Sequence, residues 1–258
     1  MLHLKSAEEI GLLRASNQMV SSILALLAEV IKPGVTTIEL DRLAEEYIRD
    51  HGAMPAFKGY NGFPGTLCTS VNDEVVHGIP SGYALQEGDI VSIDCGVIFN
   101  GYYGDSAFSF GVGEIGDDKK RLLACTRSSL EKGVMKAIVG NRIGDISDAV
   151  QTEAEGAGYS VVRELVGHGL GKHLHESPEV PNYGRKGKGI KMKEGLVICI
   201  EPMINMGTKN IRQMRDGWTI RTADGKPSAH FEYAVAVGRG KADVLTTFEF
   251  IDNVLNKK

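Results

Sequence analysis

Two aspartates stand where a half-buried hairpin should carry valine or phenylalanine. The segment DIVSIDCGVIFNGYYGDSAFSF, residues 89–110, reads as two β-rich runs joined at Asn100-Gly101, each with one acid among apolar neighbours: Asp94 and Asp105. Asn-Gly favours a type I′ turn, because both central residues need φ > 0. With that turn, Phe99 faces Tyr102 and Gly96 faces Asp105. Asp94 shares a face with Gly96, since strand side chains alternate with period two. The two carboxylates then become diagonal neighbours, roughly 7–8 Å apart. Like charges there repel and lose hydration, so a cation should lie between them. A three-residue turn would send them to opposite faces, and the hairpin alone does not choose.

An internal repeat favours the same face. LQEGDIVSID (85–94) aligns without gaps on MKEGLVICIE (192–201), matching Asp94 to Glu201. DSAFSFGVG (105–113) aligns on EYAVAVGRG (232–240), matching Asp105 to Glu232. Four acids at equivalent positions of a duplication would converge if the halves packed about a pseudo-dyad. Four carboxylates need two divalent cations for neutrality, and oxygen-rich sites select hard or borderline metals. The segment GHGLGKHLHESPEVPNY (167–183) adds His168, His173 and His175. Its glycines and prolines predict extended chain rather than a helix. Histidine beside such acids is a natural borderline-metal ligand, although at least one of the three should be a surface or outer histidine, and His173 is the one chosen for that place. GVGEIG (111–116) matches a dinucleotide-binding pattern, but Asp117 and Asp118 would repel a pyrophosphate at the following helix, so it reads as a turn.

These groups need elements to hold them. Ser6 and Glu9 form a capping box before Ile10, Leu13, Ile23, Leu26 and Leu27, predicting a helix up to Pro33-Gly34. Thr37 is read as the cap of a second helix with Ile38, Leu40, Leu43, Ala44 and Ile48 inward, ended by His51-Gly52. Asp117 or Asp118 should cap a third helix and Asp145 a fourth. Each half is thus two helices followed by a hairpin with one acid per strand. The chain reads as one domain, 1–258, with halves at about 1–116 and 117–258.

A net charge of −4, from 29 basic and 33 acidic residues, leaves no basic footprint for nucleic acid or membrane. The four cysteines, 68, 95, 125 and 199, form no CxxC pair and suit a reducing compartment. No uninterrupted apolar run reaches the ~18 residues of a membrane span, so a cytoplasmic protein is expected.

With these residues in view, the chain resembles the methionine aminopeptidases of the short bacterial type I form. The carriers are NDEVVHGIP (72–80), IDCG (93–96), GDSA (104–107), GHGLGKHLHE (167–176), IEPMI (200–204) and FEYAVAV (231–237). The resemblance implies the α/β "pita-bread" fold: pseudo-two-fold helix-helix-hairpin halves, with a curved antiparallel sheet and helices on its outer face. It implies two divalent ions (Co, Mn, Fe or Zn) held by Asp94, Asp105, His168, Glu201 and Glu232, with Asp105 and Glu232 bridging. His77 and His175 would hold the substrate amide and carbonyl, and Tyr60, Phe63, Cys68 and Trp218 would line the methionine slot. The implied reaction is removal of N-terminal methionine from nascent chains by a hydroxide bridging the metals, with Glu201 also moving protons. A monomer, transiently near the ribosome exit region, is expected. Leu165 and Leu174 stand where relatives often carry aromatic residues, and Tyr233 where many carry histidine. The nearest rival is an Xaa-Pro peptidase on the same fold. A non-enzymatic binding protein or a metal-free hydrolase would have lost the ligands.

Overall fold

Helix α1 (Ala7–Val30) begins at the expected capping box, the Ser6 hydroxyl accepting from the Glu9 N–H and the Glu9 carboxylate from the Ser6 N–H. The computed structural model describes residues 2–257. Helix α2 (Thr37–Asp50) is capped by Thr36, not Thr37: Thr36 exchanges bonds with Glu39, while the Thr37 hydroxyl donates to the Ser81 carbonyl. Leu40, Ala44 and Ile48 are buried as expected, but Ile38 faces solvent. Helix α3 (Asp117–Val134) has Gly116 at its cap, which puts Asp117 and Asp118 in the first turn, where they meet the positive end of the helix dipole. Helix α4 (Ile143–Gly156) starts before Asp145, whose carboxylate reaches back to the Arg142 N–H. A short α5 (Glu249–Leu255) closes the chain.

By length and composition α1 could cross a membrane. Its apolar side is used otherwise. Leu13, Val20, Ile23, Leu24 and Leu27 are fully buried, and the helix packs on both strands of the first hairpin. Each such side chain contributes roughly 1.5–3 kcal/mol.

That hairpin pairs Ile90–Phe99 with Tyr102–Gly111, antiparallel. Asn100 (φ 51°) and Gly101 (φ 78°) are both left-handed, Phe99 faces Tyr102, and Gly96 faces Asp105. Asp94 and Asp105 therefore share a face. Leu67–Val71 and Met54–Pro55 extend the sheet. In the second half, Val197–Ile200 pairs with Tyr233–Ala236, with Ile200 facing Tyr233 and Cys199 facing Ala234. The repeat equivalents of Ile200 and Tyr233 are Ile93 and Ser106, yet Ser106 faces Cys95. The second register is thus displaced by two residues, and an even shift keeps every side chain on its face. Gly167–Gly169, Glu176–Val180 and Asp243–Val244 complete that sheet.

Polar seams join the halves. Glu232 donates its N–H to the Ala107 carbonyl, Ser106 its hydroxyl to the Glu232 carbonyl, and Ser109 its hydroxyl to the His230 carbonyl. The largest apolar cluster takes Leu24, Leu27, Ile93 and Phe108 from one half and Leu130, Ile146, Ile200 and Phe231 from the other. A strap at the start of the chain adds another tie. Leu4 bridges to Leu196, Lys5 donates its N–H to Gly195, and the Lys5 ammonium meets Glu176 at 2.5 Å with both side chains buried.

Candidate metal centre and substrate pocket

The acid-bearing faces of the two hairpins look into one cavity of about 400 Å³. Asp94, Asp105, His168, Glu201 and Glu232 all line it, as do His77, His175, Tyr60, Phe63, Cys68 and Trp218. His173 is exposed and outside it, as expected, but not through strand alternation: residues 171–175 bend rather than extend, and the neighbours Leu174 and His175 both reach the cavity.

His168 Nε2 lies 3.5 Å from Glu201 Oε1 and 3.7 Å from Asp105 Oδ2. Its Nδ1 is 3.0 Å from the Gly169 carbonyl, which can only accept, so Nδ1 carries the proton and the Nε2 lone pair faces the acids. The acids are poorly satisfied. Asp94 Oδ1, Asp105 Oδ1, Glu201 Oε1 and Glu232 Oε1 are buried without a hydrogen-bond partner among the described residues. Burial, above all, pushes the Asp94 carboxyl up to about 7. It drives Asp105, Glu201 and Glu232 well above the usual carboxylate range, with repulsion from neighbouring acids adding to it. The same burial lowers His77 and His168 to about 4, keeping both neutral. Unpartnered acids around a neutral imidazole suit divalent cations, which would replace the missing hydrogen-bond donors. The donor set therefore fits metal.

Beside the acids runs an aromatic slot. Tyr60 sits on a single 3-10 turn, Tyr60–Gly62, entered through the left-handed Gly59. Its hydroxyl is 2.8 Å from His175 Nδ1. Trp218 meets Phe63 edge-on at 5.1 Å, and its backbone N–H donates to Asp216 Oδ1. His77 adopts φ 59°, and the following Gly78 lies so close to the Thr69 backbone that no Cβ would fit.

Several residues were missed, His230 and Met203 in the cavity wall and Cys199 behind it. His230 is buried, with Nε2 unpartnered and 3.9 Å from Glu201 Oε2. Cys199 is also buried, its Sγ within 4.8 Å of donor atoms of Asp105, His168 and Glu232, and burial pushes its thiol well above the usual range. Met203 lines the pocket as well. A signal existed for all three: each lies two residues from Glu201 or Glu232, and period two puts such residues on one face. Of the three departures, Leu165 and Leu174 line the cavity. Tyr233 does not; it packs on Phe248 with ring centroids 4.0 Å apart, on the core side.

Comparison with known proteins agrees with this geometry. A model of metallopeptidase family M24 matches residues 11–239. A methionine aminopeptidase from Clostridium perfringens (strain 13 / Type A) is 51% identical over 246 residues, covering 95% of this chain and 99% of its own. The crystal structure of methionine aminopeptidase from Rickettsia prowazekii superposes with a TM-score of 0.95 at 39% identity, covering 96% of this chain and 100% of its own. A prolidase from Pyrococcus horikoshii OT3, at 21% identity and TM-score 0.76, covers 95% of this chain and 63% of its own, and shares the fold. With matches of this extent, the chain belongs to metallopeptidase family M24 and, within it, to the methionine aminopeptidases.

Proposed function

We propose that the chain removes the N-terminal methionine from nascent proteins and peptides, by hydrolysis of the first peptide bond. The observation that carries this reading is the pairing, in one cavity, of buried unpartnered acids with an aromatic slot. A thioether side chain is flexible and apolar, and suits such a slot.

Two divalent cations, Co, Mn, Fe or Zn, would be held by Asp94, Asp105, His168, Glu201 and Glu232. Divalent ions so placed bring the pKa of water toward neutrality and polarise a carbonyl. The chain's own groups do the rest. Glu201 takes a proton from the attacking water and passes it on toward the departing amine. Donation from the Tyr60 hydroxyl to His175 Nδ1 leaves the proton on Nε2, which can donate to the developing oxyanion. His77, neutral and partly buried, donates to the amide nitrogen as the bond breaks. Phe63, Cys68 and Trp218 close on the methionine side chain and exclude water from it.

The core shared between the halves supports residues 1–258 acting as one catalytic unit. Four free cysteines support a reducing, cytoplasmic setting. There the protein acts as a monomer and meets new chains near the ribosome exit region, without reading nucleic acid or inserting into membrane. Release of methionine from Met-Ala peptides, set against cleavage of Xaa-Pro dipeptides, before and after EDTA with metals restored, tests the reading. Methionine release that is lost to EDTA and recovered with metal is expected. Cleavage of Xaa-Pro alone, or indifference to chelation, would overturn it.

A further inference from the structure

Residues 171–175, which bring Leu174 and His175 into the cavity, bend between the strands Gly167–Gly169 and Glu176–Val180 and form no regular ladder. Such a segment is fixed by single backbone bonds and by side chains. At its start the Gly171 carbonyl accepts from the Tyr103 N–H, and the Gly171 N–H donates to the His173 carbonyl. At its end Glu176, the residue after His175, divides its carboxylate. Oε1 accepts from the His173 N–H at 3.3 Å, inside the bend, and Oε2 accepts from the Lys5 ammonium at 2.5 Å. The two charged side chains are only 5% and 6% exposed, and a Cβ on Gly171 would collide with the Glu176 carboxylate and the Lys5 stem.

Lys5 is itself pinned. Its N–H donates to the Gly195 carbonyl at 2.6 Å, and its neighbour Leu4 bridges to Leu196, the residue before strand Val197–Ile200, which leads into Glu201. The ion pair therefore ties the bend that carries His175 to the strand that leads to an acid of the candidate centre. Buried ion pairs are a weak source of net stability and are better attested as devices that fix one arrangement.

We propose that Lys5 and Glu176 are positioning residues for His175: together they hold the bend so that its ring stays where Nε2 meets the developing oxyanion. The inference rests on the reading of His175 as the oxyanion donor. Tyr60 sets the tautomer of that ring from the cavity side, whereas the ion pair sets where the backbone carries it. Displacing a catalytic group by about 1 Å can cost about 100-fold. An interaction made only in the transition state, when weakened, lowers kcat and leaves KM in place.

The test is steady-state release of methionine from a Met-Ala peptide by the full chain with Mn(II). Turnover is expressed per metal-loaded centre counted by calorimetry, for the wild type, Lys5→Met, the double Lys5→Met, Glu176→Leu variant, and His175→Ala. The double variant removes both charges and regains stability, but leaves nothing to accept from the His173 N–H or to tie the bend to the strap. Both Lys5 variants should lose about tenfold or more in kcat, with KM and Mn(II) affinity within about threefold of wild type. If Lys5→Met alone fails to fold, the double variant carries the same expectation. Wild-type kcat in the double variant would overturn the proposal. So would a change confined to KM, or a loss of Mn(II) affinity that matches the loss of kcat. His175→Ala should lose about 100-fold or more in kcat; wild-type turnover there would instead refute the oxyanion role of His175, and the proposal with it.

Discussion

Stripped of ions, the protein should lose stability as pH rises from 7 to 8. Asp94, Asp105, Glu201 and Glu232 all have folded-state pKa values raised above the unfolded ones, Asp94 to about 7 and the others well above the usual range. Such groups contribute stability in full below the unfolded pKa and lose it as pH climbs through the folded one. The buried histidines have the opposite sign. His77 and His168 at about 4 and His230 at about 3 make stability rise with pH between those values and 6.5. Above pH 7 they are neutral in both states and contribute no slope. Cys68, Cys95 and Cys199, also raised by burial, add a loss only as unfolded thiols ionise nearer pH 9. Each proton held by the folded chain and not by the unfolded one costs about 1.4 kcal/mol per pH unit. At ~2–4 °C per kcal/mol for a chain of this size, Tm should fall by roughly 3–6 °C over that unit for each such proton. Scanning calorimetry of the EDTA-treated protein at pH 7.0, 7.5 and 8.0 would measure this, with Mn(II)-saturated protein beside it. Ions replace the protons, so the saturated protein should show little slope. A chelated Tm that is flat or rises with pH, or equal slopes with and without ions, would refute the reasoning.

Other perturbations give sharper yes-or-no outcomes. If Asp105 bridges the ions as proposed, Asp105→Ala should reduce methionine release at least ~1000-fold, measured with metal content determined alongside; near-normal turnover at full occupancy would contradict it. Tyr60→Phe removes the bond to His175 and should lower kcat about tenfold, with a smaller change in KM, because the tautomer rather than the slot is disturbed. Lys5→Met breaks a buried ion pair and should cost about 3–5 kcal/mol in urea unfolding, whereas a double Lys5→Met, Glu176→Leu change should recover much of it.

What the sequence disclosed depended on how local the physics was. The Asn100-Gly101 turn fixed register through two left-handed residues, and Asp94 and Asp105 landed on one face as that turn requires. Caps were legible to within a residue or two: Thr36 and Thr37 are both competent, and only the Ser81 carbonyl, brought up by the fold, occupies Thr37. Met203 and His230 were open to the same period-two reasoning as the acids, each lying two residues from Glu201 or Glu232. The long connection after Asn205 was not legible. Ile211–Gln213 and Ile220–Thr222 form a sheet with Glu74–Val76, far away in the chain, and no local pattern foretells such a pairing. Trp218, carried by that sheet's turn, could be assigned to the slot only by resemblance.

The strap from Leu4 to Leu196 also sets a timetable. During synthesis Leu4 emerges 192 residues before its partner, which at about 5–20 residues per second is a wait of roughly 10–40 s. Glu232, the last of the proposed ligands, leaves later still, so that set is incomplete until residue 232 has emerged. Meanwhile α1, apolar enough to suit a membrane, has no hairpin to lie against until residues 90–111 appear. A protein that trims newborn chains is therefore itself most exposed to aggregation and misdirection while newborn, and holdase chaperones should matter more to its yield than to its finished stability.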